Sequence, residues 1–160
     1  MVSEGDDAPD FTAPAAMPDG DITEFSLADA LADGPGVLAF FPGAFTSVCT
    51  GEMVTFRDRL DTLQSAGANL YGVSIDSPFS LGEFAAQNDL NFPLISDTNK
   101  ELIDAYNVEM DFEALGISGV AKRAVFVVDE DGTVTYKWVS DDPSVEPDYD
   151  EVEDAAAEAA

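Results

Sequence analysis

Cys49 is the only cysteine of the chain and closes the stretch PGAFTSVC, in a sequence that contains no histidine. Apolar residues recur at helical spacing after it, which predicts a helix from about Thr46 to about Ser65. With Thr46 as the predicted N-cap, Cys49 falls in the first turn, where backbone N–H groups have no intrahelical partner. The partial positive charge of a helix N-terminus favours thiolate over thiol, so the position predicts a reactive cysteine.

A lone cysteine in an apolar stretch has a second interpretation, which the residue type alone favours. Cysteine is among the most buried residue types and often serves as a small hydrophobe. The sequence before Cys49 shifts the balance toward a nucleophile. The apolar run VLAFF (residues 37–41) is bounded by Pro35-Gly36 and Pro42-Gly43, which predicts a buried central strand. Cys49 then lies just after a strand-to-helix junction.

The absence of other chemistry-bearing residues excludes several classes of site. Without histidine, the chain cannot form a Ser-His-Asp site, a Cys-His hydrolase site or a histidine metal site. With one cysteine it cannot form a CxxC pair, a cysteine zinc site or an internal disulfide, which fits a reducing cytoplasm. The sequence also lacks the GxxxxGK and GxGxxG phosphate-binding patterns. We therefore expect no metal and no cofactor, and we predict a cytoplasmic location.

The chain is strongly acidic, with 33 acidic and 6 basic residues among 160 and a formal net charge of −27. Phosphate backbones and anionic lipids repel such a polyanion, so binding to nucleic acid or to a membrane surface is disfavoured. The acids are spread along the whole sequence, as in proteins of salt-accumulating halophiles, and we expect such an origin. The alternative is an acidic protein from a mesophile. No signal peptide and no membrane-spanning segment is visible.

Strand and helix patterns alternate along the chain. An N-terminal hairpin is predicted over residues 10–27, and a second hairpin over residues 123–138 turns at Asp131-Gly132. The other predicted elements are strands over residues 37–41, 69–75 and 92–95, a helical turn over 26–31, and helices over 46–65, 80–88, 98–106 and 150–160. The helices over 80–88 and 98–106 open with capping-box sequences, from Ser80 to Glu83 and from Thr98 to Glu101. This order predicts one α/β domain over residues 1–160, with a mixed sheet and helices on both faces.

The stretch around Cys49 resembles the active-site signature of the peroxiredoxins, Pro-x-x-x-Thr-x-x-Cys. Pro42, Thr46 and Cys49 match its three fixed positions at the predicted strand-to-helix junction. The resemblance extends through FFPGAFTSVCTGE to GVSID (residues 72–76) and RAVFVVDEDG (residues 123–132), and it covers nearly the whole chain. It implies the thioredoxin-like peroxiredoxin fold. Within the family, the sequence looks like the single-cysteine branch near alkyl hydroperoxide reductase E and the bacterioferritin-comigratory protein.

The resemblance implies a role for each matching residue. Cys49 would be the peroxidatic thiolate, which attacks a peroxide oxygen and becomes sulfenic acid. Thr46 would hydrogen-bond the peroxide, and Pro42 would shield the sulfur from water. Arg123 would hold both the thiolate and the peroxide through charge-assisted hydrogen bonds.

Two further residues would support the reaction by the same resemblance. Glu52 would orient Arg123, and the backbone N–H groups of Val48 and Cys49 would stabilise negative charge on the leaving oxygen. Each side chain also has a purely structural alternative. Arg123 could pair with a surface carboxylate, Thr46 could only cap the helix, and Glu52 could only favour the helix dipole.

The predicted function is a thiol-dependent peroxidase that reduces hydrogen peroxide, organic hydroperoxides or both. Relatives of the bacterioferritin-comigratory protein often carry a resolving cysteine five residues after the first, but here that position is Val54. An external thiol, small or carried by a thioredoxin-like protein, would therefore have to reduce Cys49. The alternatives are a non-catalytic thioredoxin-fold binding or holdase module and a thiol redox sensor. The resemblance further implies a homodimer through loops near the site, with Phe45 and the Pro78-Phe79 turn as candidate contacts.

Overall fold

The computed structural model describes residues 2–160. The fold is built on a seven-stranded mixed β-sheet with helices packed against it. The strands are β1 (Thr12–Ala16), β2 (Ile22–Ser26), β3 (Gly36–Phe40), β4 (Asn69–Ser74), β5 (Leu94–Ser96), β6 (Glu109–Phe112), β7 (Ile117–Ala121), β8 (Arg123–Val128) and β9 (Val134–Ser140). The helices are α1 (Leu27–Leu31), α2 (Ser47–Ser65), α3 (Pro78–Gln87), α4 (Glu101–Ala105) and α5 (Tyr149–Ala159), and a short 3-10 helix spans Glu113–Leu115. No helix in these described residues is both long and apolar enough to cross a membrane.

The strand order places the end of β3 beside the start of β8, although the two strands are far apart in sequence. In the order β2-β1-β5-β4-β3-β8-β9, strand β3 is interior, parallel to β4 and antiparallel to β8. Phe40, the last residue of β3, pairs with Ala124, the second residue of β8. The chain leaving β3 toward α2 therefore lies beside Arg123, the first residue of β8.

Both faces of the sheet are covered. Every residue of β3 and of β8 is buried, as expected for interior strands whose side chains alternate between two apolar faces. On one face Val37 packs in a cluster with residues of α2, α3 and α5. On the other face Leu38 packs in a cluster with residues of α1 and α4. The predicted mixed sheet, helices on both faces and N-terminal hairpin (β1 with β2) are confirmed.

Helix α3 begins earlier than the sequence pattern predicted. Its N-cap is Ser77, whose hydroxyl accepts a hydrogen bond from the N–H of Ser80, and Pro78 occupies the first helical turn. The capping box predicted from Ser80 to Glu83 is wrong. Proline with a preceding serine is the stronger start signal, because the fixed φ of proline suits the first helical position and its missing N–H is not needed there.

Helix α4 is also held by a different residue from the one predicted. The N-cap position belongs to Lys100, with φ of 61°, and no side chain there makes a cap hydrogen bond. The buried carboxylate of Asp97 instead accepts hydrogen bonds from the N–H groups of Leu102 and Ile103, at 2.9 Å each. The capping box predicted from Thr98 is therefore wrong. A carboxylate reaching across the turn satisfies the same free N–H groups.

A hairpin that the sequence analysis did not predict projects between α4 and β8. Strands β6 and β7 form a separate two-stranded antiparallel sheet, joined by the 3-10 helix and by Gly116 at φ of 66°. The residues of β6 are exposed or half-buried, and acids alternate with apolar residues in EMDF. Such a strand lacks the buried apolar pattern by which interior strands are recognised. The hairpin contributes to the site described below.

Acidic side chains greatly outnumber the cations available to pair with them. Among residues 2–160, the ion pairs engage only five acids, Glu52, Asp58, Asp141, Asp150 and Glu153, of the 33 in the chain. The repulsion among the remainder is long-ranged at low ionic strength and is screened within about 3 Å near 1 M salt.

We expect cooperative tertiary structure to be lost below roughly molar salt, because the unpaired carboxylates then repel one another. Near-UV and far-UV circular dichroism during stepwise removal of salt measures this loss, and activity should fall in parallel. A protein that keeps both spectra unchanged in dilute buffer would contradict the halophile hypothesis and leave the site chemistry untouched.

Candidate active site

Cys49 lies in the first turn of α2, at the floor of an open pocket of about 400 Å³. Its side chain is only 1% exposed. Pro42 and Thr46 line the same pocket, together with Val48. Because the helix begins at Ser47, the N–H groups of its first turn have no intrahelical acceptor. They lie at the same end of the helix as Cys49.

Arg123 contacts the sulfur directly. Its Nη2 group donates a hydrogen bond to Cys49 Sγ at 3.2 Å. The Arg123 side chain is 1% exposed, and it is the first residue of the interior strand β8. A buried guanidinium beside a sulfur favours the thiolate, because a charge-assisted hydrogen bond is stronger than one between neutral groups.

Glu52 is the ionic partner of Arg123 on the other side. Its Oε1 accepts from Arg123 Nη1 at 2.8 Å, and both side chains are almost fully buried. Helical geometry explains the placement, because residues 49 and 52 lie on one face of α2. Glu52 Oε2 is buried without a hydrogen-bond partner among the described residues. The pair therefore holds Arg123 at the cost of one unsatisfied oxygen.

Burial and charge oppose each other in this pair. Burial raises the pKa of Glu52 from its ordinary value of 4.5 to about 7, although Arg123 opposes the shift through its charge and hydrogen bond. For Arg123, burial opposes the charged form, but Glu52 and Cys49 together hold its pKa above the ordinary value. The guanidinium thus stays charged beside the sulfur.

Thr46 is placed at the pocket but does not cap the helix with its side chain. It has the extended backbone of an N-cap residue, and its carbonyl accepts from the N–H of Thr50 at 2.9 Å. The predicted N-cap position is thus confirmed, but the hydroxyl donates to the carbonyl of Gly43 at 2.9 Å and does not cap the helix. The tight turn before the helix brings the Gly43 carbonyl within reach, and the hydroxyl oxygen keeps lone pairs free to accept a further hydrogen bond.

The turn that carries Thr46 is fixed from the neighbouring strand. Asp76 Oδ2 accepts hydrogen bonds from the N–H of Ala44 at 2.8 Å and from the hydroxyl of Ser74 at 2.7 Å. Phe45, which lies between Ala44 and Thr46 in this turn, adopts φ of 67°, a left-handed conformation that is uncommon outside glycine. Asp76 ends the segment GVSID of the peroxiredoxin resemblance, but this anchoring contact was not predicted.

The outer wall of the pocket is apolar. It is formed by Ile75, Phe112, Leu115, Ile117 and Val120, four of which belong to the β6–β7 hairpin and its connection. Leu115 and Ile117 are 61% and 42% exposed, so this part of the wall is open to solvent. The pocket thus combines the Cys49 sulfur and the Arg123 guanidinium with an apolar wall.

The structure brings together every residue that the sequence analysis placed in the site. Cys49, Arg123 and Glu52 form one hydrogen-bonded chain, and Pro42, Thr46 and Val48 line the same pocket as Cys49. The candidate dimer contacts Phe45 and Phe79 are 54% and 77% exposed. The backbone carbonyl of Pro143, whose role was not predicted, accepts hydrogen bonds from Arg123 Nε at 3.1 Å and from Nη2 at 2.9 Å. No sequence signal marks a carbonyl for such a role.

Comparison with known proteins agrees with this geometry. The AhpC/TSA family matches residues 4–137. Rv2521 of Mycobacterium tuberculosis, whose name assigns it to the peroxiredoxins, is 38% identical over 135 residues, which are 83% of this chain and 82% of the relative. Peroxiredoxin-1 of Gallus gallus is 33% identical over 147 residues, which are 87% of this chain and 70% of the relative. The crystal structure of peroxidoxin BcpB from Mycobacterium tuberculosis matches with a TM-score of 0.84 and 29% identity, over 98% of this chain and 97% of that one.

The chain belongs to the AhpC/TSA family, the peroxiredoxins. The resemblance found at PGAFTSVC and the thioredoxin-like fold are thereby confirmed. The family supports a thiol-dependent peroxidase, and the chain carries one cysteine for that chemistry.

Replacing Arg123 by alanine should lower the fraction of Cys49 present as thiolate at neutral pH and slow its reaction with peroxide by at least about tenfold. The reason is the loss of a charge-assisted hydrogen bond at the sulfur. Thiolate absorbance across a pH titration and stopped-flow peroxide kinetics measure the two effects. The matched control is Arg57→Ala, which removes an arginine of α2 that forms an ion pair with Asp58. Unchanged titration and kinetics in Arg123→Ala would remove this residue from the site.

Glu52 should make stability fall as pH rises from about 4.5 to about 7. Its raised pKa means that the folded state holds a proton that the unfolded chain has already released, so deprotonation favours unfolding. Glu52→Gln cannot ionise and should lose this dependence, which is on the order of 3 kcal/mol in the free energy of unfolding. Denaturant unfolding of both proteins in constant salt gives the difference curve. Parallel curves across this window would contradict the raised pKa.

Proposed function

We propose that the protein is a thiol-dependent peroxidase in which Cys49 is the single peroxidatic residue. The observation that carries the proposal is the 3.2 Å contact between Arg123 Nη2 and Cys49 Sγ at the floor of an open pocket. A purely structural cysteine has no need of a buried guanidinium, which is expensive to remove from water. The same geometry favours a peroxidase over a non-catalytic binding or holdase module.

The oxidative step uses the groups around the sulfur. The Cys49 thiolate attacks the terminal oxygen of a peroxide ROOH, the S–O bond forms and the O–O bond breaks. Cys49 becomes a sulfenic acid, and the RO⁻ fragment takes a proton and leaves as ROH. Arg123 and the N–H groups of Val48 and Cys49 stabilise the negative charge that develops on the leaving oxygen. The free lone pairs of the Thr46 hydroxyl suit a proton of the bound hydroperoxide.

The reductive steps need thiols from outside the chain. A thiol R′SH attacks the Cys49 sulfenic acid, which gives a mixed disulfide and releases water. A second R′SH attacks that disulfide, which restores the Cys49 thiol and releases R′SSR′. The chain has no other cysteine that could replace the first thiol. We therefore propose a one-cysteine cycle with a small thiol or a thioredoxin-like protein as reductant.

Peroxide titration followed by mass spectrometry tests this cycle. One equivalent of peroxide should add one oxygen to the protein, a small thiol should convert that product to a mixed disulfide, and more thiol should restore the parent mass. Excess peroxide without thiol should carry Cys49 on to sulfinic acid and abolish activity, because no resolving cysteine competes. Cys49→Ser should show none of these changes. A parent protein unmodified by several equivalents would overturn the peroxidase proposal, and oxidation without steady turnover would favour the redox sensor.

The pocket also supports a preference among peroxides. About 400 Å³ is far more than hydrogen peroxide fills, and the wall formed by the β6–β7 hairpin is apolar. We propose that organic hydroperoxides bind with their apolar part against this wall, where their burial contributes to affinity.

Leu115→Gln should therefore lower kcat/KM for cumene hydroperoxide about fivefold, with little change for hydrogen peroxide. Leu115→Met, which keeps an apolar side chain, should behave like the parent. The ratio of the two kcat/KM values in each protein is the measurement. An equal effect of Leu115→Gln on both peroxides would contradict the proposed role of the wall.

A further inference from the structure

The segment between β9 and α5 reaches back over the site. Its residues 141–146, which we term the strap, are largely exposed, but Pro143 and Ser144 line the pocket above Cys49. The carbonyl of Pro143 accepts two hydrogen bonds from the guanidinium of Arg123, from Nε at 3.1 Å and from Nη2 at 2.9 Å. A surface loop thus contacts the buried charge of the site.

These two bonds determine which way the guanidinium faces. A guanidinium has five N–H donors in one plane. The Nη1 side is held by Glu52 at 2.8 Å, and the Nε and Nη2 groups share the Pro143 carbonyl. With one Nη2 hydrogen taken by that carbonyl, the other is directed to Cys49 Sγ at 3.2 Å. The strap therefore fixes the plane from the side opposite Glu52.

Asp142 orders the strap locally. Its Oδ1 accepts from the N–H of Ser144 at 2.9 Å and from the Ser144 hydroxyl at 2.7 Å. Its carbonyl accepts from the Ser140 hydroxyl at 2.9 Å and from the N–H of Val145 at 3.1 Å. All four bonds flank Pro143, so they set the direction of the Pro143 carbonyl.

Two further features of the strap contribute unequally. Pro143 has a fixed φ and no N–H, which narrows the conformations available to the peptide that carries the carbonyl. The ion pair of Lys122 with Asp141 spans 2.6 Å, but Asp141 is 87% exposed. Exposed pairs contribute little and are screened by salt. The backbone and Asp142 thus hold the strap more than this charge pair does.

We propose that the strap is a positioning element for the peroxidatic chemistry, with Asp142 as the positioning residue and the Pro143 carbonyl as the group that holds Arg123 on Cys49. The inference rests on the proposed function, because it concerns the reactivity of the same sulfur. Asp142 touches neither sulfur nor peroxide and acts through Pro143 and Arg123.

The test compares three variants of the full chain at constant high salt. Asp142→Ala removes the acceptor for Ser144, Asp142→Asn keeps an Oδ1 acceptor, and Asp61→Ala is the control on the exposed face of α2. We expect Asp142→Ala to slow peroxide attack about fivefold and to shift the pH profile of Cys49 alkylation upward. Asp142→Asn and Asp61→Ala should retain the parent rate and profile. A role confined to stability would change the melting temperature and leave the pH profile unmoved.

A second variant covers the case in which Asp142→Ala does not fold. Pro143→Gly keeps the carbonyl but frees its backbone, and it should show the same slower attack and shifted profile. Parent-like kinetics in the folded variants, or equal loss in Asp142→Ala and Asp142→Asn, would overturn the strap proposal. A parent protein that consumes no peroxide would instead overturn the proposed function, so the two failures are distinguishable.

Discussion

The site depends on one buried cation, Arg123. A guanidinium that is 1% exposed needs partners for its donors, because an unpaired buried charge is strongly destabilising. Cys49 and Glu52 of α2 and the Pro143 carbonyl of the strap supply them. The requirement to satisfy the arginine therefore joins α2, β8 and the strap, and it brings the sulfur beside a positive charge.

The sheet makes that convergence possible. Because β3 and β8 are antiparallel neighbours, the end of one and the start of the other meet at the same edge. The apolar side chains of β3 and β8 pack into the clusters on both faces of the sheet. Arg123, the first residue of β8, is therefore buried with them. Glu52 then follows Cys49 by three residues on α2, which puts both side chains toward the same guanidinium. The unsatisfied Oε2 of Glu52 is the stability lost to this arrangement.

The parts of this site that follow periodic rules could be predicted from the sequence. Strand β3, helix α2 and the first-turn position of Cys49 follow from apolar spacing and from the proline and glycine residues around VLAFF. Arg123 and Glu52 could be assigned only through the resemblance to the peroxiredoxins, since 71 residues separate the two in sequence. Neither spacing nor composition connects residues so far apart.

Other contacts left no sequence signal. Every residue has a backbone carbonyl, so nothing distinguished that of Pro143, and Asp142 was one acid among 33. The Thr46 hydroxyl turned to Gly43 because of local turn geometry, which residue types alone do not determine. The β6–β7 hairpin was missed because both of its strands are partly exposed and β6 carries acids between its apolar residues. Yet that hairpin provides most of the apolar wall of the pocket.

We propose that the folded arrangement around Cys49, and not the thiol alone, gives the protein its reactivity toward peroxide. Stopped-flow kinetics of one equivalent of hydrogen peroxide with the folded protein and with the denaturant-unfolded chain, at equal pH and corrected for thiolate fraction, tests it most directly. We expect the folded protein to react at least about a thousandfold faster, since positioning and electrostatic stabilisation act together at the sulfur. Equal corrected rates in the two states would contradict it.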